Sequence, residues 1–149
     1  MNNITIRPME LTDIPEVLHV ENACFQTPWT TDIFYQELIE NAHAYYYVVE
    51  IEHTIVGYIG SWIVLDDAQI TNFAILPSYR RNKLGEKLFR YVMQLAISKG
   101  VERLSLEVRA SNIAAQSLYR KFGLVPGGIR KRYYTDNHED AIVMWVNVK

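Results

Sequence analysis

The sequence predicts an α+β fold: a mixed, mostly antiparallel sheet of about seven strands flanked by four helices. Aromatic and β-branched runs of strand length follow one another between short polar turns from residue 44 to residue 76, the economical pattern of an antiparallel meander. A long amphipathic helical pattern then separates the last of these runs from another strand, a β-α-β arrangement. Two further strand-like runs close the chain around a polar loop.

Taken in order, Ile4-Thr5-Ile6-Arg7 alternates apolar and polar residues, as a short strand does, and Pro8 ends it. Thr12 or Asp13 can cap a helix with Pro15 in its first turn, and Ile14, Val17 and Leu18 continue it at helical spacing to about Phe25. Thr27-Pro28-Trp29 breaks this helix. Thr30 or Thr31 caps a second one, carrying Ile33, Phe34, Glu37 and Leu38. Tyr45-Tyr46-Tyr47-Val48-Val49 favours a strand. After a turn at Glu52-His53, Thr54 to Leu65 forms the next, and Gly57 and Gly60 inside it signal bends or close backbone approach. Asp66-Asp67 turns into Ala68 to Leu76, which Pro77 stops. Beyond a polar loop, a helix places Leu84, Leu88, Tyr91, Val92, Leu95 and Ala96 on one side and ends at Lys99-Gly100. Val101 to Val108 reads as a strand and Asn112 to Phe122 as a helix with Gly123 past its end. Leu124 to Lys131 and Ala141 to Val148 are the last two strands.

A length of 149 residues suits one domain, residues 1–149. Hydrophobic residues at 49% with charged residues at 21% exclude a disordered chain, and a net charge of −2 argues against a global attraction to nucleic acid. Cys24 is the single cysteine, on the apolar side of the first helix, so no internal disulfide forms. His19, His43, His53 and His138 are scattered and expected in solvent; no metal site is expected. No apolar run approaches the ~18 residues of a membrane span, and the first residues carry no apolar signal segment. The expectation is a cytoplasmic protein with no membrane partner.

The loop before the long helix is a physical arrangement for anions. The first amides of a helix have no internal partner and carry the positive end of its dipole. Arg80, Arg81 and Lys83 add full charges, and Gly85 lets the backbone approach a ligand closely. A basic surface loop before an ordinary helix would have the same composition.

Arg80-Arg81-Asn82-Lys83-Leu84-Gly85 resembles the Arg/Gln-x-x-Gly-x-Gly/Ala signature of the GCN5-related N-acetyltransferases, the GNAT superfamily, with Lys83 where the signature has its first glycine. Asn72-Phe73-Ala74-Ile75-Leu76-Pro77 is similar to the fourth strand of that family. Residues 106–112, Leu-Glu-Val-Arg-Ala-Ser-Asn, and 117–123, Ser-Leu-Tyr-Arg-Lys-Phe-Gly, are similar to its fifth strand and fourth helix. Within the family, Val20-Glu21-Asn22-Ala23-Cys24-Phe25, Pro28-Trp29-Thr30, Tyr133-Tyr134 and Glu139-Asp140-Ala141-Ile142-Val143-Met144 resemble the bacterial RimI type, which acetylates the N-terminal alanine of a small-subunit ribosomal protein.

The resemblance implies acetyl-CoA as cosubstrate and assigns its contacts. Phe73, Ala74 and Ile75 would present backbone groups to the acetyl-pantetheine arm. Arg81, Asn82, Lys83, Leu84, Gly85 and Glu86 would hold the pyrophosphate, and Asn112 the pantetheine amide. It also implies that Glu107 is the general base and Tyr119 the general acid. Read from the residues alone, Glu107 is equally a surface carboxylate on a half-buried strand, and Tyr119 a core aromatic. Trp29 lines a peptide groove or staples the turn between two helices. Tyr133 and Tyr134 close over a peptide or cover the sheet. Arg130-Lys131-Arg132 reads as a solvated strand end.

Three functions compete: an N-terminal α-amine acetyltransferase acting on a ribosomal protein, an acetyltransferase for a small-molecule amine or lysine, and a CoA-binding module without catalysis. Glu107 and Tyr119 argue against the last. The α-amine reference pKa near ~8, against ~10.4 for lysine, favours the first, because roughly 10% of α-amines are already neutral at pH 7.

Overall fold

The computed structural model describes residues 3–80 and 83–148. The chain builds β1 (Ile4–Pro8), α1 (Ile14–Cys24), α2 (Thr31–Ile39), β2 (Ala44–Ile51), β3 (Thr54–Val64), β4 (Asp67–Ile75), α3 (Leu84–Ser98), β5 (Arg103–Arg109), α4 (Ile113–Lys121), β6 (Val125–Arg130) and β7 (Ala141–Asn147). The strands form one seven-stranded sheet in the order β1-β2-β3-β4-β5-β7-β6. All neighbours are antiparallel except β4 and β5, which the α3 crossover makes parallel. The expected α+β fold is therefore present, with β7 inserted between β5 and β6. No helix among the described residues is long and apolar enough to cross a membrane.

Local chemistry explains most boundaries. The Thr30 hydroxyl accepts from the Ile33 amide at 3.4 Å, capping α2 as expected. The cap expected at Thr12 or Asp13 is different. A short 3₁₀ turn, Leu11–Asp13, precedes α1, and the buried Asp13 carboxylate takes two Arg7 bonds at 2.7 and 2.9 Å. It also accepts from the Glu10 amide at 2.7 Å. A buried carboxylate needs a cation more than a helix needs a cap. Gly100 ends α3 at φ 81°.

Apolar cores lie on both faces of the sheet. Under α3 and α4, Leu88, Phe89 and Val92 pack with Leu104, Leu106 and Met144. Under α1 and α2, Val17, Val20 and Phe34 pack with Val48 and Tyr58. Phe89 takes the buried place on α3 where Tyr91 was expected; Tyr91 stays at the rim, its ring 5.0 Å from Tyr47. Gly60 meets the expectation of close approach, since a Cβ there would lie 2.3 Å from the Tyr46 ring and 2.6 Å from Asn72 Oδ1. Opposite it, the register slips by one residue at Thr71. This bulge turns β4 at the point where the site begins.

Candidate active site

β4 and β5 pair only over residues 67–69 and 103–105, and then part. Among the described residues, the edge of β4 that faces β5 has no strand partner from Ile70 onward. Backbone groups there must be satisfied by something other than the sheet. The parting opens a cleft of about 340 Å³. Its walls come from β4 (Thr71, Asn72, Phe73), β5 (Glu107, Arg109), the α1–α2 connection (Phe25, Thr27, Trp29), α4 (Tyr119) and the β6–β7 loop (Tyr134).

Glu107 lies half-buried in the cleft wall. Its Oε2 is buried and accepts no directed hydrogen bond, although the Arg130 guanidinium makes ion-pair contact with it. Arg130 is thus not merely a solvated strand end: it is largely exposed, but its charge reaches across β7 because β6 and β5 flank that strand. Tyr119 is 7% exposed, its ring packed against Phe89 at 5.3 Å and Phe73 at 6.5 Å. Burial pushes its phenol well above the ordinary tyrosine range, so it stays protonated. The core reading of Tyr119 and its exposure to the cleft hold together.

The β6–β7 loop is fastened by Arg109. Its guanidinium donates to Asp136 at 2.7 and 3.1 Å and to Glu139 at 3.4 Å, and stacks 4.0 Å from the Tyr134 ring. Hydrogen bonding to Arg109 lowers the Asp136 pKa, and bonding to Ser111 lowers that of Glu139. Tyr134 is pushed up to about 12, chiefly by burial. Tyr133 stays at the exposed rim, edge-on to Tyr134 at 5.2 Å, with its hydroxyl beside Glu107. Trp29 lines the cleft and packs on Phe34 at 5.4 Å.

α3 begins beyond the parted, C-terminal end of β4. Its first internal bond runs from the Lys87 amide to the Lys83 carbonyl at 3.1 Å. As the first residues of α3, Leu84, Gly85 and Glu86 carry amides without a partner inside the helix. Lys83 occupies the left-handed region at φ 60°, the conformation that a glycine would adopt freely. Arg81 and Asn82 lie outside the described residues. The Leu84 side chain is core, and the Glu86 carboxylate pairs with Lys121 at 3.3 Å. Gly85 sits beside β4: a Cβ there would lie 3.4 Å from the Phe73 ring. Ala74 and Ile75 bury their side chains on opposite faces of the sheet, and Ile75 gives its carbonyl to Arg80 Nε at 3.1 Å. Asn112 caps α4, its Oδ1 accepting from the Ala115 amide at 3.1 Å, and lines the cleft.

Sequence reasoning passed over Glu21. It is 3% exposed in α1 and lines the cleft. Its Oε2 accepts from the Trp29 amide at 2.9 Å, and its Oε1 accepts from the Tyr58 hydroxyl. Burial raises its pKa. The signal was present: Glu21 falls on the stripe of Ile14 and Val17, where a charge is out of place.

A family model for the acetyltransferase (GNAT) family matches residues 14–124. The chain belongs to the GNAT acetyltransferase family, whose members use acetyl-CoA as cosubstrate. It is 57% identical over 143 residues to a Bacillus subtilis (strain 168) protein provisionally named ribosomal protein bS18-alanine N-acetyltransferase, covering 96% of this chain and 95% of that one. It is 35% identical over 144 residues to the Escherichia coli (strain K12) ribosomal protein bS18-alanine N-acetyltransferase, covering 94% and 95%. The crystal structure of the ribosomal-protein-S18-alanine N-acetyltransferase from Escherichia coli superposes with a TM-score of 0.91 at 33% identity, covering 99% of this chain and 95% of that one.

Proposed function

We propose that this chain, as one domain of residues 1–149, transfers the acetyl group of acetyl-CoA to the α-amine of the N-terminal alanine of a small-subunit ribosomal protein. The named relatives point to bS18. Such a substrate puts the reaction in the cytoplasm. The observation that carries the chemistry is the meeting of Glu107 Oε2, a buried acceptor without a directed hydrogen bond, and the Tyr119 phenol in one cleft where β4 and β5 part.

Acetyl-CoA brings a thioester, an amide-bearing arm and a pyrophosphate. The free edge of β4 at Phe73, Ala74 and Ile75 suits the arm, with the Asn112 amide beside it. The start of α3 suits the pyrophosphate, through the amides of Leu84, Gly85 and Glu86 and the charges of Lys83 and Arg81, with Asn82 in the same loop. Glu107 accepts the proton that the amine loses as it attacks, directly or through a water. Tyr119 donates a proton to the departing sulfur; a phenol kept neutral by burial is in the right state to do so. Trp29, Tyr133 and Tyr134 flank the entering peptide.

The test is acetyl transfer to a panel: an alanine-starting ribosomal peptide, its N-blocked twin, a lysine peptide and spermidine. The alanine peptide is acetylated much faster than the others. Equal turnover of the N-blocked peptide moves the function to lysine, and preference for spermidine moves it to small amines.

A further inference from the structure

Among the described residues, the charged side chains that line the cleft are Glu21, Glu107 and Arg109. Glu107 has Arg130, and Arg109 has Asp136 and Glu139. Glu21 has no cation among the described residues. Its two partners, the Trp29 amide and the Tyr58 hydroxyl, are neutral donors. Arg80 reaches Cys24 and the Ile75 carbonyl rather than Glu21. Burying a carboxylate without a cation is costly, and neutral hydrogen bonds offset only part of that cost.

Packing alone does not call for an acid here. A neutral amide could accept from the Trp29 amide just as well. Each oxygen of Glu21 accepts one bond within the protein and has capacity for another. An α-ammonium has three donors and the missing charge. At pH 7 roughly 90% of α-amines carry that proton, so the enzyme meets its substrate chiefly as a cation.

We propose that Glu21 receives the α-ammonium of the incoming N-terminus and sets the preference of the cleft for a charged amine. This rests on the α-amine acetylation proposed above and names the group that binds that amine. The Trp29 amide bond gives Glu21 a second role in the same act, since it ties the α1–α2 connection, one wall of the cleft, to the carboxylate that holds the substrate. On the opposite side, Asn72 Nδ2 donates to the Tyr58 hydroxyl at 3.0 Å and orients the donor that Glu21 accepts. The titratable groups on this side are Tyr58 and Tyr46 from the sheet and Cys24 from α1. Burial raises the pKa of all three, which keeps them neutral at working pH. Across the cleft stand Glu107, Arg109, Tyr119 and Tyr134.

The experiment compares the KM of an alanine-starting peptide for wild type and Glu21→Gln at pH 6.5 and 9.5, with acetyl-CoA KM as control. The expected result is a peptide KM raised about tenfold or more at pH 6.5. The ratio falls toward one at pH 9.5, where the amine is neutral, while acetyl-CoA KM is unchanged. A purely structural role would raise KM equally at both pH values, and that result, or no change at all, overturns the assignment. A second measurement does not depend on how the variant folds. Wild type with bound CoA is titrated at pH 6.5 with the peptide and with an analogue bearing hydroxyl in place of the α-amine. The amine binds about tenfold tighter, and Glu107→Gln retains that preference. Equal affinities, or a preference abolished in Glu107→Gln, overturn the proposal. If wild type fails to acetylate the alanine peptide, the reading of the function falls and this inference with it. If wild type acetylates it and the Glu21 results are null, only this inference falls.

Discussion

Arg130 on β6 reaches across β7 to make an ion pair with Glu107 on β5. The carboxylate proposed as the proton acceptor is thereby held beside a positive charge that belongs to the solvent-facing edge strand. A substrate amine approaching Glu107 meets a carboxylate that is already oriented.

Glu107→Gln keeps the shape and removes the proposed base. We expect kcat to fall by about 10²–10⁴-fold, with acetyl-CoA affinity unchanged. The loss shrinks as pH rises past ~8, because the α-amine then arrives neutral. The pair is half in solvent, so its loss costs no more than about 1 kcal/mol of stability. A pH profile of kcat with circular dichroism as the fold control checks both.

Tyr119→Phe removes the proton donor proposed for the departing sulfur, which every turnover would need. Its loss of kcat therefore persists across the alkaline range, unlike that of Glu107→Gln. Burial holds the phenol above its ordinary pKa, so wild type loses no activity near pH 10 through this residue. Wild-type rates in Tyr119→Phe would leave it as core packing and make Tyr134 the next donor to test.

Lys83 has a left-handed backbone, which costs a side chain roughly 1–2 kcal/mol relative to glycine. Lys83→Gly is expected to raise the melting temperature by a few degrees. Gly85→Asp acts on the proposed ligand site: it adds bulk beside Phe73 and a negative charge where the first amides of α3 would face the pyrophosphate. Calorimetric titration should show acetyl-CoA binding weakened at least tenfold. An unchanged affinity would remove the start of α3 from the site.

Arg109→Met cuts the β6–β7 loop from β5. Peptide KM rises, acetyl-CoA KM does not, and amide exchange quickens over residues 131–140. The acid sensitivity of this docking has a definite sign. Asp136 and Glu139 have folded pKa values lowered by their partners. Their contribution is complete above the ordinary carboxylate values near ~4 and is lost as pH falls through the lowered ones. Loop exchange in wild type should thus approach that of Arg109→Met only in strong acid.

The sequence by itself determined the elements, because their signals are local. Tyr45 to Val49 is a strand by composition, Thr30 caps α2, and Leu84, Leu88, Val92 and Ala96 repeat at helical spacing to the glycine at 100. Family motifs brought Glu107, Tyr119 and the loop before α3 into view, and the structure gathers Glu107 and Tyr119 into one cleft. Periodicity tells which face of an element is apolar; it does not tell which partner that face meets. The parting of β4 from β5 after Gln69, the insertion of β7 between β5 and β6, and the reach of Arg130 to Glu107 are matters of pairing between segments far apart in the chain. Asp13 looked like a cap until Arg7 was found beside it. Glu21 stood in the sequence only as part of the Val20–Phe25 segment; the fold buries it against Tyr58 and the Trp29 amide. Only the tertiary structure decided these, because the energy of a buried charge depends on what surrounds it and not on its neighbours in sequence.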